Sequence, residues 1–152
     1  MKDLIIDFAL PEEAIYLHEL VKELAIYEKA EQDVKTQVQE FETGIQTGLF
    51  KTLVARLPTD GIVGMALYYP IFSTWNGSSL YLEDFIVKNS FRGLGIGAKL
   101  FEKWIEIGKK EGAKMLKWQV LDWNEPAKNF YSKYKTKFYP GWENGVIYLA
   151  RD

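Results

Sequence analysis

An apolar strand pattern runs straight into a glycine turn and then into an amphipathic helix across residues 80–107, LYLEDFIVKNSFRGLGIGAKLFEKWIEI. Leu80, Tyr81, Leu82, Phe85, Ile86 and Val87 make a near-continuous apolar run that suits a strand covered on both faces. Downstream, Leu100, Phe101, Trp104, Ile105 and Gly108 share one helical face, with Lys99, Glu102, Lys103, Glu106 and Lys110 mostly outside. A strand that turns directly into such a helix needs a sheet with a helix laid on it, so all-helical and all-β chains are excluded.

The rest of the chain fills in that plan. LIIDFAL at 4–10 is β-rich and stops at Pro11, after which Ala14, Leu17, Leu20, Val21 and Leu24 recur at helical spacing. Thr36 and Gln39 have capping-box form, and Val38, Phe41 and Ile45 line a second helix that ends near Gly44 or Gly48. FKTLVARL and IVGMALYY flank the turn chemistry of PTDG, as in a hairpin, and WNGSS breaks the chain before the next strand. After Gly112 come a strand, MLKWQVL, a short helix from Asn124 with Pro126 in its first turn, and a closing strand, VIYLA. The expected order is β-α-α-β-β-β-α-β-α-β, an α/β or mixed α+β sheet covered by helices. With 152 residues the chain is expected to be a single domain over 1–152, since a second core would lack apolar area.

Composition narrows the chemistry. Zero cysteines and one histidine, His18, exclude a disulfide framework, a thiolate nucleophile and the usual thiolate or imidazole metal cluster, so no metal is expected. His18 lies beside the apolar stripe of the first helix and reads as packed or partly exposed, with no catalytic role. No apolar run reaches the ~18 residues that cross a bilayer, and MKDLIIDFALPEE lacks the form of a signal peptide, so a cytoplasmic protein without membrane contact is expected. Residues 1–48 carry eleven acidic and four basic side chains, a net of -7, whereas residues 88–137 carry twelve basic and five acidic, a net of +7. One region suits a cation and the other an anion, unless both are simply solvated helix faces. A pI near 5.6 argues against nucleic acid.

The turn Arg92, Gly93, Leu94, Gly95, Ile96, Gly97 leaves backbone amides unshielded at a helix N-terminus, which makes a pocket for phosphate oxygens. Glycines also occur where a strand merely turns tightly into a helix. The spacing departs from GxGxxG and lacks GK[ST], so neither the dinucleotide nor the nucleoside triphosphate fingerprint applies. Arg92, two residues, Gly95, one residue and Gly97 resemble the R/Q-x-x-G-x-G/A signature of the GNAT superfamily of acyl-CoA N-acyltransferases. LAIYE at 24–28, YLEDFIV at 81–87, FRGLGIG at 91–97 and WNEPAKNFY at 123–131 are similar, in order and spacing, to spermidine/spermine and related diamine acetyltransferases.

That resemblance implies a mostly antiparallel mixed sheet with helices on both faces, acetyl-CoA as co-substrate, a small-molecule amine acceptor and a homodimer. It implies that Arg92, Gly93, Leu94, Gly95, Ile96, Gly97 and Ala98 take the pyrophosphate. Phe85, Ile86 and Val87 would offer strand backbone to the pantetheine, and Asn124, Glu125, Pro126 and Ala127 would line the coenzyme. Tyr27, Glu28 and Glu83, with Lys117, Trp118 and Gln119, fall on substrate-side segments, and Asp84 is substrate-side or structural. Adjacent strand residues face opposite sides, so at least one of Glu83 and Asp84 is expected toward a helix-covered face.

Glu83 matches the family's base, and the chemistry agrees, because an ammonium of pKa ~10.4 is no nucleophile until a carboxylate removes its proton. Tyr131 matches the family's acid, a phenol of pKa ~10 able to protonate a leaving thiolate near pKa ~8.5 as the bond cleaves. Without cysteine to carry an acyl group, direct attack by the amine is expected. The family often places a basic residue three positions after the tyrosine. Here Tyr134 and Lys135 occupy that stretch, with Lys133 nearby. The alternatives are an acceptor such as thialysine or another small amino compound, and a sensor that binds acetyl-CoA or polyamine without turnover.

Overall fold

The computed structural model describes residues 3–149. Its elements run β1 Ile5–Phe8, α1 Ala14–Tyr27, α2 Val38–Thr47, β2 Lys51–Leu57, β3 Gly61–Ser73, β4 Gly77–Val87, α3 Ile96–Lys110, β5 Leu116–Trp118 and α4 Glu125–Ser132. The strands form one sheet in the order β1-β2-β3-β4-β5. The pairs from β1 to β4 are antiparallel and β4–β5 is parallel, which is the mixed, mostly antiparallel sheet expected. The chain divides into two compact units between Gln119 and Val120, so the five strands and α1–α3 belong to the first and α4 to the second.

Both faces of the sheet carry helices, because neighbouring side chains on each strand point to opposite sides. On one face Leu17 and Leu20 of α1 and Phe41 of α2 pack with Val54, Met65, Leu67 and Ile86. On the other, Trp104 of α3 lies 6.2 Å from Tyr68 and Phe101 lies 5.6 Å from Phe85, ring centre to ring centre. Leu17, Leu20 and Leu100 are wholly buried, each stabilising the fold by roughly 1.5–3 kcal/mol. His18 is buried, and its Nε2–H donates to the Thr36 carbonyl at 2.8 Å. Its ring sits edge-on to Phe41, the packed one of the two placements expected from the sequence.

Four boundaries depart from the sequence reading. The capping pair of α2 is Gln37 with Glu40, one residue later than Thr36 with Gln39, and the Gln37 amide donates to Glu40 Oε2 at 2.6 Å. The helix ends at Gly48 in the left-handed region, φ 71°. Gly44 instead sits where the Phe50 ring would lie 2.0 Å from any Cβ, so its missing side chain makes room for that ring. WNGSS does not break the sheet, because Ser73–Gly77 is the turn of one long hairpin in which Ser78 and Ser79 already pair with Phe72 and Ile71. β5 is three residues long rather than seven, and its described pairings stop at Leu82↔Trp118. Val146–Leu149 form no strand and are exposed, with no ladder partner to hold them extended; Ala150 lies outside the described residues.

Candidate active site

The connection from β4 to α3 is built from unusual backbone. Gly93 and Gly95 hold φ of 78° and 82°, a region costly for residues with a Cβ, and α3 begins directly at Ile96, inside the glycine turn. Arg92, Gly93, Leu94 and Gly95 are exposed, while Ile96 is buried and anchors the helix start. Nothing lies within 4 Å of where a Cβ on Gly93 or Gly95 would stand. An open turn therefore leads into the positive end of a 15-residue helix, with Gly97 and Ala98 in its first turn. Arg92 braces it, since its Nε–H donates to the Val87 carbonyl at 2.9 Å and its guanidinium lies 5.3 Å from the Tyr27 ring centre. A Glu23 carboxylate on α1 accepts from the Asn89 amide at 3.1 Å, securing the same connection.

Glu83 and Asp84 do not follow strand alternation. Leu67 of β3 pairs with Asp84 and the next residue, Tyr68, pairs with Leu82, so Glu83 is an extra residue, a β-bulge. The bulge brings both carboxylates to the face of Tyr69 and Tyr81, whose rings stack at 5.6 Å. Tyr69 Oη donates to Glu83 Oε2 at 2.7 Å. Glu83 is exposed and Asp84 half-buried. Burial, with the charges of Glu83 and Glu28 nearby, pushes the Asp84 carboxyl up to about 7. Burial also raises Glu28 at the C-cap of α1. Burial and then the Glu83 bond and charge raise the Tyr69 phenol, and burial ahead of Glu83 and Asp84 raises Tyr81. Burial and the charges of Glu83 and Glu28 together oppose ionisation of Asp84, and a face of that kind is a seat for a cation.

Beyond Leu82, β5 no longer accompanies β4, while Phe85, Ile86 and Val87 continue their register with Ala66, Met65 and Gly64. Lys117 is exposed and stands in register with Tyr81. Trp118 turns to the α3 side, edge-on to Phe101 at 5.3 Å and to Trp104 at 6.1 Å, so it belongs to the aromatic layer beneath α3 and not to the acidic face. Gln119 follows the end of β5 and is exposed.

The second unit carries the remaining sequence-derived residues. Asn124 caps α4, its Oδ1 accepting from the Ala127 amide at 3.3 Å, with Glu125 and Pro126 in the first turn. Pro126 fits there because the first-turn N–H has no helical partner to lose. Tyr131 is buried, with Phe130 edge-on at 5.5 Å. Its carbonyl accepts from Thr136 Oγ1 at 2.6 Å. Lys133 is the C-cap of α4, and Lys135 takes a positive φ of 58° where the chain leaves it.

The first unit thus brings Tyr27, Glu28, Glu83, Asp84 and the glycine turn to neighbouring parts of β4, α1 and the start of α3. Tyr69 and Tyr81 were missed as site residues by the sequence reading. The signal was the hairpin register, which a recognised turn at Ser73–Gly77 would have supplied, since it sets Tyr69 opposite Tyr81. Among the described residues, no group of three or more His, Cys, Asp or Glu side chains is placed to hold a metal ion.

Comparison with known proteins agrees with this architecture. Residues 14–135 match the acetyltransferase (GNAT) family. Over 121 residues the chain is 40% identical to thialysine N-epsilon-acetyltransferase of Sus scrofa, covering 74% of this chain and 71% of that one. It is 37% identical to spermidine/spermine N(1)-acetyltransferase-like protein 1 of Homo sapiens over 70 residues, 46% of this chain and 10% of that one. An aminoglycoside acetyltransferase from an uncultured soil metagenomic sample shares the fold, with a TM-score of 0.79 at 17% identity over 98% of each chain. The chain is an acyltransferase that belongs to the GNAT family.

Proposed function

We propose that the protein transfers acetyl from acetyl-CoA to a primary amine of a polyamine-like cation by direct attack. The observation that carries this reading is the convergence of Glu28, Glu83 and Asp84, two of them with raised pKa, on the strand that feeds the glycine turn. The charges of Glu83 and Glu28 that oppose ionisation of Asp84 are relieved by a cation, and a flexible diamine offers two. The exposed turn at Gly93 and Gly95 fits a diphosphate, because its backbone is open and a helix N-terminus lies behind it. Acetyl-CoA, when bound, supplies the thioester carbonyl that the amine attacks.

On this reading Arg92 through Ala98 hold the pyrophosphate and Phe85, Ile86 and Val87 receive the pantetheine along the stretch of β4 that β5 has left. One strand N–H there polarises the carbonyl. Asn124, Glu125, Pro126 and Ala127 line the coenzyme. Tyr27, Glu28 and Asp84, with Lys117 and Gln119 flanking, receive the amine, while Trp118 backs β5 from the α3 side. Glu83 removes the ammonium proton directly or through water, and Tyr131 protonates the leaving thiolate. The family match runs across Gln119–Val120, which supports reading residues 1–152 as one catalytic domain. The family resemblance supports a homodimer.

Tyr131→Phe tests the assignment most simply. Turnover is expected to fall on the order of a hundredfold, the scale of a lost general acid, while CoA affinity measured by calorimetry stays within about twofold, a phenol hydroxyl at the thiolate adding little to ground-state binding. An unchanged rate removes Tyr131 as the acid. A second reading, with thialysine as acceptor, is supported by the 40% identity to a thialysine acetyltransferase. Relative kcat/KM for thialysine and for diamines separates the two.

A further inference from the structure

Glu83 is poorly suited to catalysis by itself. It projects from a bulge as an exposed, flexible side chain, and a base that samples many rotamers is seldom aimed at its proton. The structure supplies a restraint: among the described residues, its side-chain hydrogen bond comes from Tyr69, at 2.7 Å to Oε2. Tyr69 is itself held, since it pairs across the hairpin with Tyr81 and the two rings stack at 30°.

We propose that Tyr69 is the positioning residue for the amine-side carboxylate: by donating to Oε2 of Glu83, it leaves Oε1 as the oxygen presented to the incoming amine. This rests on the reading of Glu83 as the proton acceptor. Geometry explains why the bulge is needed. In regular pairing Tyr69 faces Tyr81, and the next residue of β4 on that side would be Glu83 alone, with Asp84 turned to α3. The extra residue leaves Glu83 bonded to the phenol and turns Asp84 to the same face beside it. Burial, then the Glu83 bond and charge, raise the phenol, which favours its protonated, donating form. The other ionisable groups whose charge couples to Glu83 are Tyr81 and Asp84 of β4, and Glu28 of α1 couples to Asp84 in turn.

A double-mutant cycle with an α,ω-diamine as acceptor tests this. Tyr69→Phe keeps the ring and is expected to lower kcat roughly tenfold with KM for acetyl-CoA unchanged, as fits loss of orientation without loss of donor binding. The loss should fall on kcat, with KM for the diamine changed by less than about twofold, as fits a misaimed carboxylate rather than a missing one. In a Glu83→Gln background the same substitution should change kcat by less than about twofold, since the two act as a unit. 3-Fluorotyrosine at position 69 keeps the ring and the donor, so it should hold kcat within about twofold of the unsubstituted protein. A tenfold loss that 3-fluorotyrosine shares, or one that persists in the Glu83→Gln background, would show Tyr69 to be packing only. Wild-type kinetics in Glu83→Gln itself remove the proton-acceptor reading, whereas an impaired Glu83→Gln with a normal Tyr69→Phe removes only the role of Tyr69.

Discussion

Between about pH 4 and pH 7 the folded protein holds a proton on Asp84 that the unfolded chain has already lost, because burial and the charges of Glu83 and Glu28 lift its pKa to about 7. The native state therefore binds more protons than the unfolded state across that window, and stability falls as pH rises through it. Asp84→Asn removes the penalty. It should stabilise the protein by roughly 1–3 kcal/mol at pH 8, less than the full linkage because the side chain is partly solvated, and by nothing near pH 4. Thermal unfolding of both proteins at the two pH values checks this, and an equal shift at each would refute it. The identities of Glu83 and Asp84 were legible in the sequence, as charges set in an apolar run. Their common face was not, since it follows from one unpaired residue in a ladder, and strand parity alone places neighbours on opposite sides.

The element on which the proposed chemistry rests is the passage from β4 through the glycine turn into α3. It was read correctly because each of its parts has a local cause: an apolar β-forming run, glycines at positive φ and an amphipathic helix behind them. Gly95 tests the turn's role. Alanine at φ 82° costs about 1 kcal/mol and displaces the neighbouring amides. CoA affinity by calorimetry should weaken on the order of three- to tenfold in Gly95→Ala, as lost anion contacts at a helix N-terminus predict, with diamine affinity unchanged. Equal weakening of both ligands would mean general distortion of the strand. The elements misread were those that depend on distant partners. β5 shortens to three residues, and the VIYLA segment stays out of the sheet over Val146–Leu149, because a β pattern forms a strand only where a neighbour completes its hydrogen bonds. The hairpin turn at Ser73–Gly77 was hidden in the same way, by serines that read as loop but pair in β4.

For the whole molecule, charge asymmetry gave direction before any contact was known. The net of -7 over residues 1–48 includes Glu28, which takes part in the acidic site, and the +7 region includes the glycine turn. Some charges in these regions are held in exposed ion pairs, such as Lys103 with Glu106 on α3. Charge thus pointed to the proposed ligands more clearly than to the side chains proposed to meet them. Family membership settles acyl transfer, and the acidic face carries the proposal for the acceptor. The most direct measurement is free CoA release from acetyl-CoA across a panel of α,ω-diamines, thialysine, monoamines with neutral tails and amines bearing phosphate. Diamines should lead, with kcat/KM at least about tenfold above a monoamine of equal length, the factor that one further favourable ion pair of ~1.4 kcal/mol supplies. No CoA release with any diamine, or a preference for a phosphate-bearing amine, would contradict the account.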